Sequence, residues 1–469
     1  MMGGSRDPSG VGTAITALCH QPQHSKEKAE MASATVTRAD ERRTRRRAIS
    51  GSVIGTALEW YDFFLYGTAA ALVFNHLFFP TLDPLTGTLL AFGSFAVGFI
   101  ARPIGAIVFG HYGDRVGRKR VLVITLLIMG ISTMLIGLLP GYTTVGVLAP
   151  IALTVLRFVQ GFGLGGEWGG AVLMSLEHGD PRRRGLAASW PQIGVPLGLL
   201  LANGVLTLFL WLTDDAAFLA WGWRVPFILS AVLIAIGLWI RLHVTESPEF
   251  ERLAAEGNRV KHPILEVLKT QRRELLIATG SRVGTDVAFY IFVLFVVTYL
   301  TQMVGVEQTT ATLVVLLSAA AMVIFIPAFG ALSDKLGRKP VYVGGAVGAL
   351  IWVFAFFPLL ESHDLGLMIL ADFVGMLCWA AMYGPLAAFT TELFPANVRY
   401  SGASLGFQLS GILGGALAPI IAVALYGNFK SWLPIGVYVG VMLVITIVSV
   451  LVARESSKDE HALTPGSAA

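Results

Sequence analysis

The sequence predicts an all-α membrane protein, with twelve transmembrane helices in two pseudo-symmetric six-helix bundles. Three observations predict it. Mean hydropathy is +0.69, and 55% of residues are hydrophobic against 14% charged, which excludes an ordinary soluble domain. Twelve apolar stretches of ~20 residues, the length that suits a hydrocarbon core about 30 Å thick, follow one another between 50 and 453. One charged loop then occurs twice: Gly110, Asp114, Arg115, Gly117, Arg118 and Lys119 recur 220 residues later as Gly330, Asp334, Lys335, Gly337, Arg338 and Lys339. Each copy lies between long apolar runs, so a whole membrane unit is duplicated, as in carriers that rock around a central site.

The first six spans fall near 50–76, 86–109, 121–139, 145–176, 186–211 and 223–243. The second six fall near 275–301, 310–331, 341–359, 365–392, 401–426 and 432–453. Their apolar runs are continuous rather than alternating, so they read as helices and not strands. The implied domains are a polar, disordered N-terminal tail (1–48), a bundle (49–244), a charged, partly helical linker (245–273), a second bundle (274–453) and a short C-terminal tail (454–469). A step of 215 relates further parts of the halves, placing Arg157 with Asp372, Glu177 with Glu392 and Arg184 with Arg399. Residues 1–47 lack the apolar region of a signal peptide, and translation from Met31 is an alternative start. Small residues crowd spans two, four, five and eleven, and close helix packing accounts for most of them.

Net charge is only +4, but its placement is lopsided. Arg42–Arg47, Arg115–Arg120, Arg182–Arg184, Arg252–Arg273, Lys335–Lys339, Arg399 and Arg454 all fall on one side. The opposite turns, near Asp83, Gly141, Asp214, Glu307, Asp364 and Asn428, carry a single Lys430. The positive-inside rule therefore puts both termini and both repeated loops in the cytoplasm of a multi-pass protein of the cytoplasmic membrane. The basic balance reports this topology, so a nucleic-acid partner is not expected. Cys19 and Cys378 offer no disulfide framework. No metal spacing, nucleophile elbow or nucleotide loop occurs, which argues against an enzyme, a cofactor, a nucleotide partner or a primary pump. No channel filter is visible either, and a monomer is expected.

The two loops, with Arg157, Gln160, Gly161 and Gly165 in span four, resemble the major facilitator superfamily over residues 49–453. Glu59-Trp60-Tyr61-Asp62-Phe63-Phe64, Ala101-Arg102-Pro103, Gly166-Glu167-Trp168-Gly169, Trp221-Gly222-Trp223-Arg224 and Glu392-Leu393-Phe394-Pro395 resemble its metabolite:proton symporter branch. Relatives of that branch carry shikimate, 2-oxoglutarate, citrate, or proline and betaine. The resemblance implies the major facilitator fold and proton symport of a small polar metabolite by alternating access. One departure of the second loop from the pattern is Pro340, where a basic residue is usual.

Charges at membrane depth cost roughly 2.5–3.5 kcal/mol each on insertion scales, so each calls for a reason. Glu59 and Asp62 lie about 14–18 Å inside span one, three residues apart on one face, among aromatic neighbours that disfavour a bare charge. They are the candidate proton carriers; the alternative is a structural role. By analogy with proton-coupled facilitators, Arg157 is the counter-charge of such an acid. The resemblance favours Asp62, with Glu59 second. Arg102 can hold a carboxylate in bidentate fashion, pair with a first-span acid, or pack structurally. Arg282 and Asp286 are four apart, so they form a local pair or line the cavity with Tyr290. Gln160, Glu167, Trp168, Gln192 and Asp372 complete the candidate binding groups.

The loops suit a different role. Asp114 and Asp334 can cap a neighbouring helix, while Arg118 and Arg338 can pair with Glu177 and Glu392, forming a cytoplasmic gate that biases two states. Buried arginines favour an organic acid as substrate. Buried acids keep an osmolyte such as proline or betaine in play, and a non-transporting sensor is a third possibility.

Overall fold

The computed structural model describes residues 47, 49–81, 84–242 and 263–454, and no strand occurs among them. The expected tails, apart from Arg47 and Arg454, lie outside the described residues, as does the linker up to 262. The rest of that linker is a helix, Pro263–Thr270, followed directly by span seven, which starts at Arg272 rather than 274. Among the described residues eleven helices are long and apolar enough to cross a bilayer. The twelfth is the first, 49–78, interrupted by a wider π-type turn at Ala70–Phe74.

The remaining spans run Pro84–Val116, Arg118–Leu138, Leu148–Glu177, Pro181–Leu212, Phe218–Leu242, Arg272–Val304, Gln308–Leu336, Arg338–Leu360, Leu365–Glu392, Arg399–Phe429 and Leu433–Val452. Span four has 30 residues, hence a length of about 45 Å, longer than the hydrocarbon is thick. Its last turns therefore reach beyond the membrane, where the charged groups of the loop end gather. The repeated loops are each a corner made by one residue. Gly117 has φ +120° and Gly337 φ +97°; one helix ends just before each and the next begins just after. Only glycine adopts that backbone without strain, which is why it recurs in both loops.

Within the first half, spans two and three pack on span four, and span six packs on span three. In the second, spans eight, nine and ten pack together and span twelve lies against seven and nine. Spans two and four meet backbone to backbone. A Cβ on Gly161 would strike the carbonyl of Gly98, and one on Gly165 would strike the carbonyl of Arg102. In lipid, such close approach replaces the hydrophobic effect as the force that joins helices. It also fixes the height of Arg102 against span four. Contacts between the halves gather at the loop end, where span eleven meets spans two and four and the start of span five meets spans eight and ten.

Candidate functional site

Midway through the bundle an aromatic seam joins the two halves. Trp60 of span one lies 6.0 Å from Phe289 of span seven, which lies 4.9 Å from Trp379 of span ten, itself stacked on Tyr383 at 4.4 Å. Phe99 of span two faces Tyr290 at 6.1 Å. Arg102 is set into this seam. It is 4% exposed, and its guanidinium sits 4.8 Å from the rings of both Phe63 and Phe99. Its Nη2 has no hydrogen-bond partner. A buried guanidinium set between aromatic faces, with Nη2 unpartnered and the acids Glu59 and Asp286 acting on it, has a donor to offer an incoming anion.

The acids of span one are placed differently from one another. Glu59 is buried with Oε2 unpartnered, and the cations acting on it are those of Arg102, Arg241 and Arg282. Asp62 accepts a hydrogen bond from Ser230 of span six at 2.9 Å, with Thr133 of span three beside it. Arg157 does not pair with Asp62 directly. It donates to Gln160 at 2.5 Å, and Gln160 donates to Thr133 at 2.7 Å, so the arginine and the acid are joined through a polar chain. The guanidinium of Arg157 also lies over Tyr66 and Phe95, at 4.3 and 4.7 Å.

Across the seam, Arg282 and Asp286 form the local ion pair their spacing allows, at 2.9 Å. Arg282 also donates to Ser410 at 3.1 Å and to the carbonyl of Phe407. Asp286 keeps Oδ2 unpartnered, and Tyr290 lies one turn further along. Trp168 and Gln192 bond to each other at 2.8 Å. Trp168 stacks on Phe407 at 3.7 Å and Gln192 donates to the carbonyl of Tyr383, so both tie the halves together beneath the seam.

Two candidate binding residues fall elsewhere. Glu167 is engaged by Arg241 of span six and accepts from Thr125 at 3.0 Å, away from the seam. Adjacent helical residues point about 100° apart, so Glu167 and Trp168 serve different neighbours. Asp372 is fully buried, with neither carboxyl oxygen hydrogen-bonded and Ser318 of span eight beside it. It is not grouped with the arginines, although the repeat pairs it with Arg157. Arg241 is a functional-looking residue that sequence reasoning missed.

At the loop end the second repeat forms a closed network. Asp334 accepts from the backbone N–H of Gly185 at 2.8 Å and of Leu186 at 2.9 Å, capping the helix Arg184–Ser189 that opens span five. Arg338 donates to Asp334 at 2.6 Å and to Glu392 at 3.5 Å, while Arg184 donates to Glu392 at 3.1 Å. The network thus crosses from one half to the other. In the first repeat, the side chains of Asp114 and Arg118 lie outside the described residues, and the expected pairing of Arg118 with Glu177 with them. Beside them, Gly113 lies against the ring of Tyr400 and Gly110 against Ser401, at the start of span eleven.

The chain matches two family models, Sugar (and other) transporter over residues 48–259 and Major Facilitator Superfamily over 281–468. It is 42% identical to the inner membrane metabolite transport protein YhjE of Escherichia coli K12, over 88% of this chain and 95% of that one. It is 39% identical to the shikimate transporter of the same strain, again over 88% and 95%. Identity to that strain's proline/betaine transporter is 32%, over 88% and 84%. The proton:xylose symporter XylE superposes with a TM-score of 0.73 at 18% identity, over 88% of this chain and 95% of that one, which shows the shared fold. These relatives are transporters rather than enzymes, and the chain belongs to the major facilitator superfamily, in its metabolite:proton symporter branch.

Proposed function

We propose that this protein carries a small organic acid across the cytoplasmic membrane together with protons, by alternating access. One observation carries the reading: Arg102, buried between two phenyl rings where the halves meet, has an unpartnered Nη2. A carboxylate substrate would satisfy it in bidentate fashion, with Arg282 and Tyr290 across the seam. The first-span acids carry the proton. Asp62 does so at the end of the Thr133–Gln160–Arg157 chain, and Glu59 at the edge of the arginine group. A protonated acid leaves its arginines to the substrate, and an ionised one competes for them, which couples the two cargoes.

In this reading both termini are cytoplasmic, residues 49–244 and 274–453 move as two bodies in a monomer, and the loop network is a cytoplasmic gate. Asp114, Arg118 and Glu177 would serve the first repeat as Asp334, Arg338 and Glu392 serve the second. The test is uptake by the purified carrier in proteoliposomes under an inward proton gradient, with radiolabelled shikimate, 2-oxoglutarate and glycine betaine as probes. Accumulation of a carboxylate that vanishes when an ionophore collapses the gradient is expected. Accumulation indifferent to the gradient would overturn proton coupling.

A second reading is proton-coupled uptake of an osmolyte. The aromatic seam favours it, because ring faces attract a quaternary ammonium, and Asp286 and Glu59 lie nearby. Betaine uptake that shikimate does not compete with would support it. Binding of a probe without any flux would instead mark a sensor.

A further inference from the structure

Span six ends on an arginine that no step above uses. Arg241 is 5% exposed and donates to both carboxyl oxygens of Glu167 in span four, and to the carbonyl of Leu122 in span three. Thr125 holds the same carboxylate at 3.0 Å. The guanidinium lies against Gly55 of span one, where any Cβ would collide with Nη2. Gly55 precedes Glu59 by four residues, so one face of span one presents the arginine and, a turn later, the acid.

One carboxyl group engages this guanidinium, and a second, that of Glu59, lies one helical turn along span one from the glycine it packs on. Glu59 Oε2 has no hydrogen-bond partner. The charged and titratable groups that act on it electrostatically are Arg102 of span two, Arg241 of span six, Arg282 of span seven and Tyr383 of span ten, with Asp62 three residues on in its own helix. Releasing a proton from Glu59 leaves a charge in a low-dielectric interior, where a cation must offset it. Arg102 and Arg282 are the groups assigned to substrate, which leaves Arg241.

We propose that Arg241 is a counter-ion shared in turn by Glu167 and Glu59, and that Glu167, by holding it, sets the pH at which Glu59 gives up its proton. Arg241 and Glu167 are then positioning residues for coupling, touching neither cargo. The inference rests on the reading that first-span acids carry the proton. With Glu167 ionised, its charge is spent on Arg241, and Glu59 keeps its proton. Removing the Glu167 charge frees Arg241 for Glu59; removing Arg241 deprives Glu59 of a cation.

The test is an infrared pH titration of the full-length carrier in liposomes, which needs no substrate. It follows the carboxylic C=O band that Glu59→Gln removes. Glu167→Gln should move the midpoint of that band to lower pH by about one unit, the size expected for an added opposite charge at close range. Arg241→Gln should move it to higher pH by a similar amount, and Arg241→Lys should lie between. Should Arg241→Gln fail to fold, the near-isosteric Glu167→Gln decides alone. An unmoved midpoint in Glu167→Gln, shifts of the same sign in the two Gln variants, or no band assignable to Glu59 would overturn the proposal. Gradient-driven uptake judges the transport reading separately, since the titration stands whether or not a probe is carried.

Discussion

The charged groups at the seam and those at the loop end are built on opposite plans. At the loop end Asp334 is answered by two backbone N–H groups and Arg338, and Glu392 by Arg338 and Arg184. At the seam the charges are buried more deeply, yet Arg102 Nη2, Glu59 Oε2 and Asp286 Oδ2 have no hydrogen-bond partner. A satisfied network favours one arrangement of the two halves, whereas an unsatisfied group favours whatever arrives to satisfy it. In the proposed reading, the difference separates groups that hold a conformation from groups that hold cargo.

The contrast can be broken most sharply at Arg102. Arg102→Gln should lower uptake about 100-fold, the loss expected for a charge-assisted pair in a dry site, and should abolish thermal stabilisation by the substrate. Arg102→Lys should recover only part, because the fork is lost. Normal uptake by Arg102→Gln would remove the seam from substrate recognition. Asp62→Asn should next reduce gradient-driven accumulation to simple equilibration while sparing counterflow exchange. Full accumulation by this variant, with loss in Glu59→Gln, would assign the proton to Glu59 alone.

Asp334→Ala tests the other region. It removes a helix cap and an ion pair together, so turnover should fall about tenfold with KM changed less than about twofold, because the effect lies in the balance of states rather than in binding. Asp114→Ala should act in the same way if the repeats work alike. A pure loss of affinity in either would contradict a gate. The smallest effect is expected from Gly337→Ala. Forcing a side chain into the left-handed corner costs about 1 kcal/mol, visible as a lower unfolding temperature with uptake nearly unchanged.

Much of this division is legible in the sequence, because it depends on local pattern. The duplicated loop, its corner glycine and the spacing of Arg338 to Asp334 are set by a few consecutive residues, and the twelve spans by hydropathy. Arg102 stands out as a lone cation within an apolar run. The pairings between distant spans are less legible. Arg241 reads as a residue at the end of span six, free to reach the interface; only the close approach of Gly55 turns it inward to Glu167. Arg157 and Asp62 look like direct partners in sequence, but the side chains of Gln160 and Thr133 stand between them. Asp372 shares its repeat position with Arg157 without sharing its neighbours, because duplication preserves backbone geometry while the side chains packed on it diverge.

The start of span five depends on the opposite bundle for its cap, and this has a hydration consequence. If spans five and eight part, the amides of Gly185 and Leu186 lose the Asp334 carboxylate, and solvent molecules must take its place. Opening that end therefore consumes water at a defined spot. Solutes that lower water activity without touching the protein should slow the step, tying the pace of the carrier to the osmotic state of the compartment it opens into.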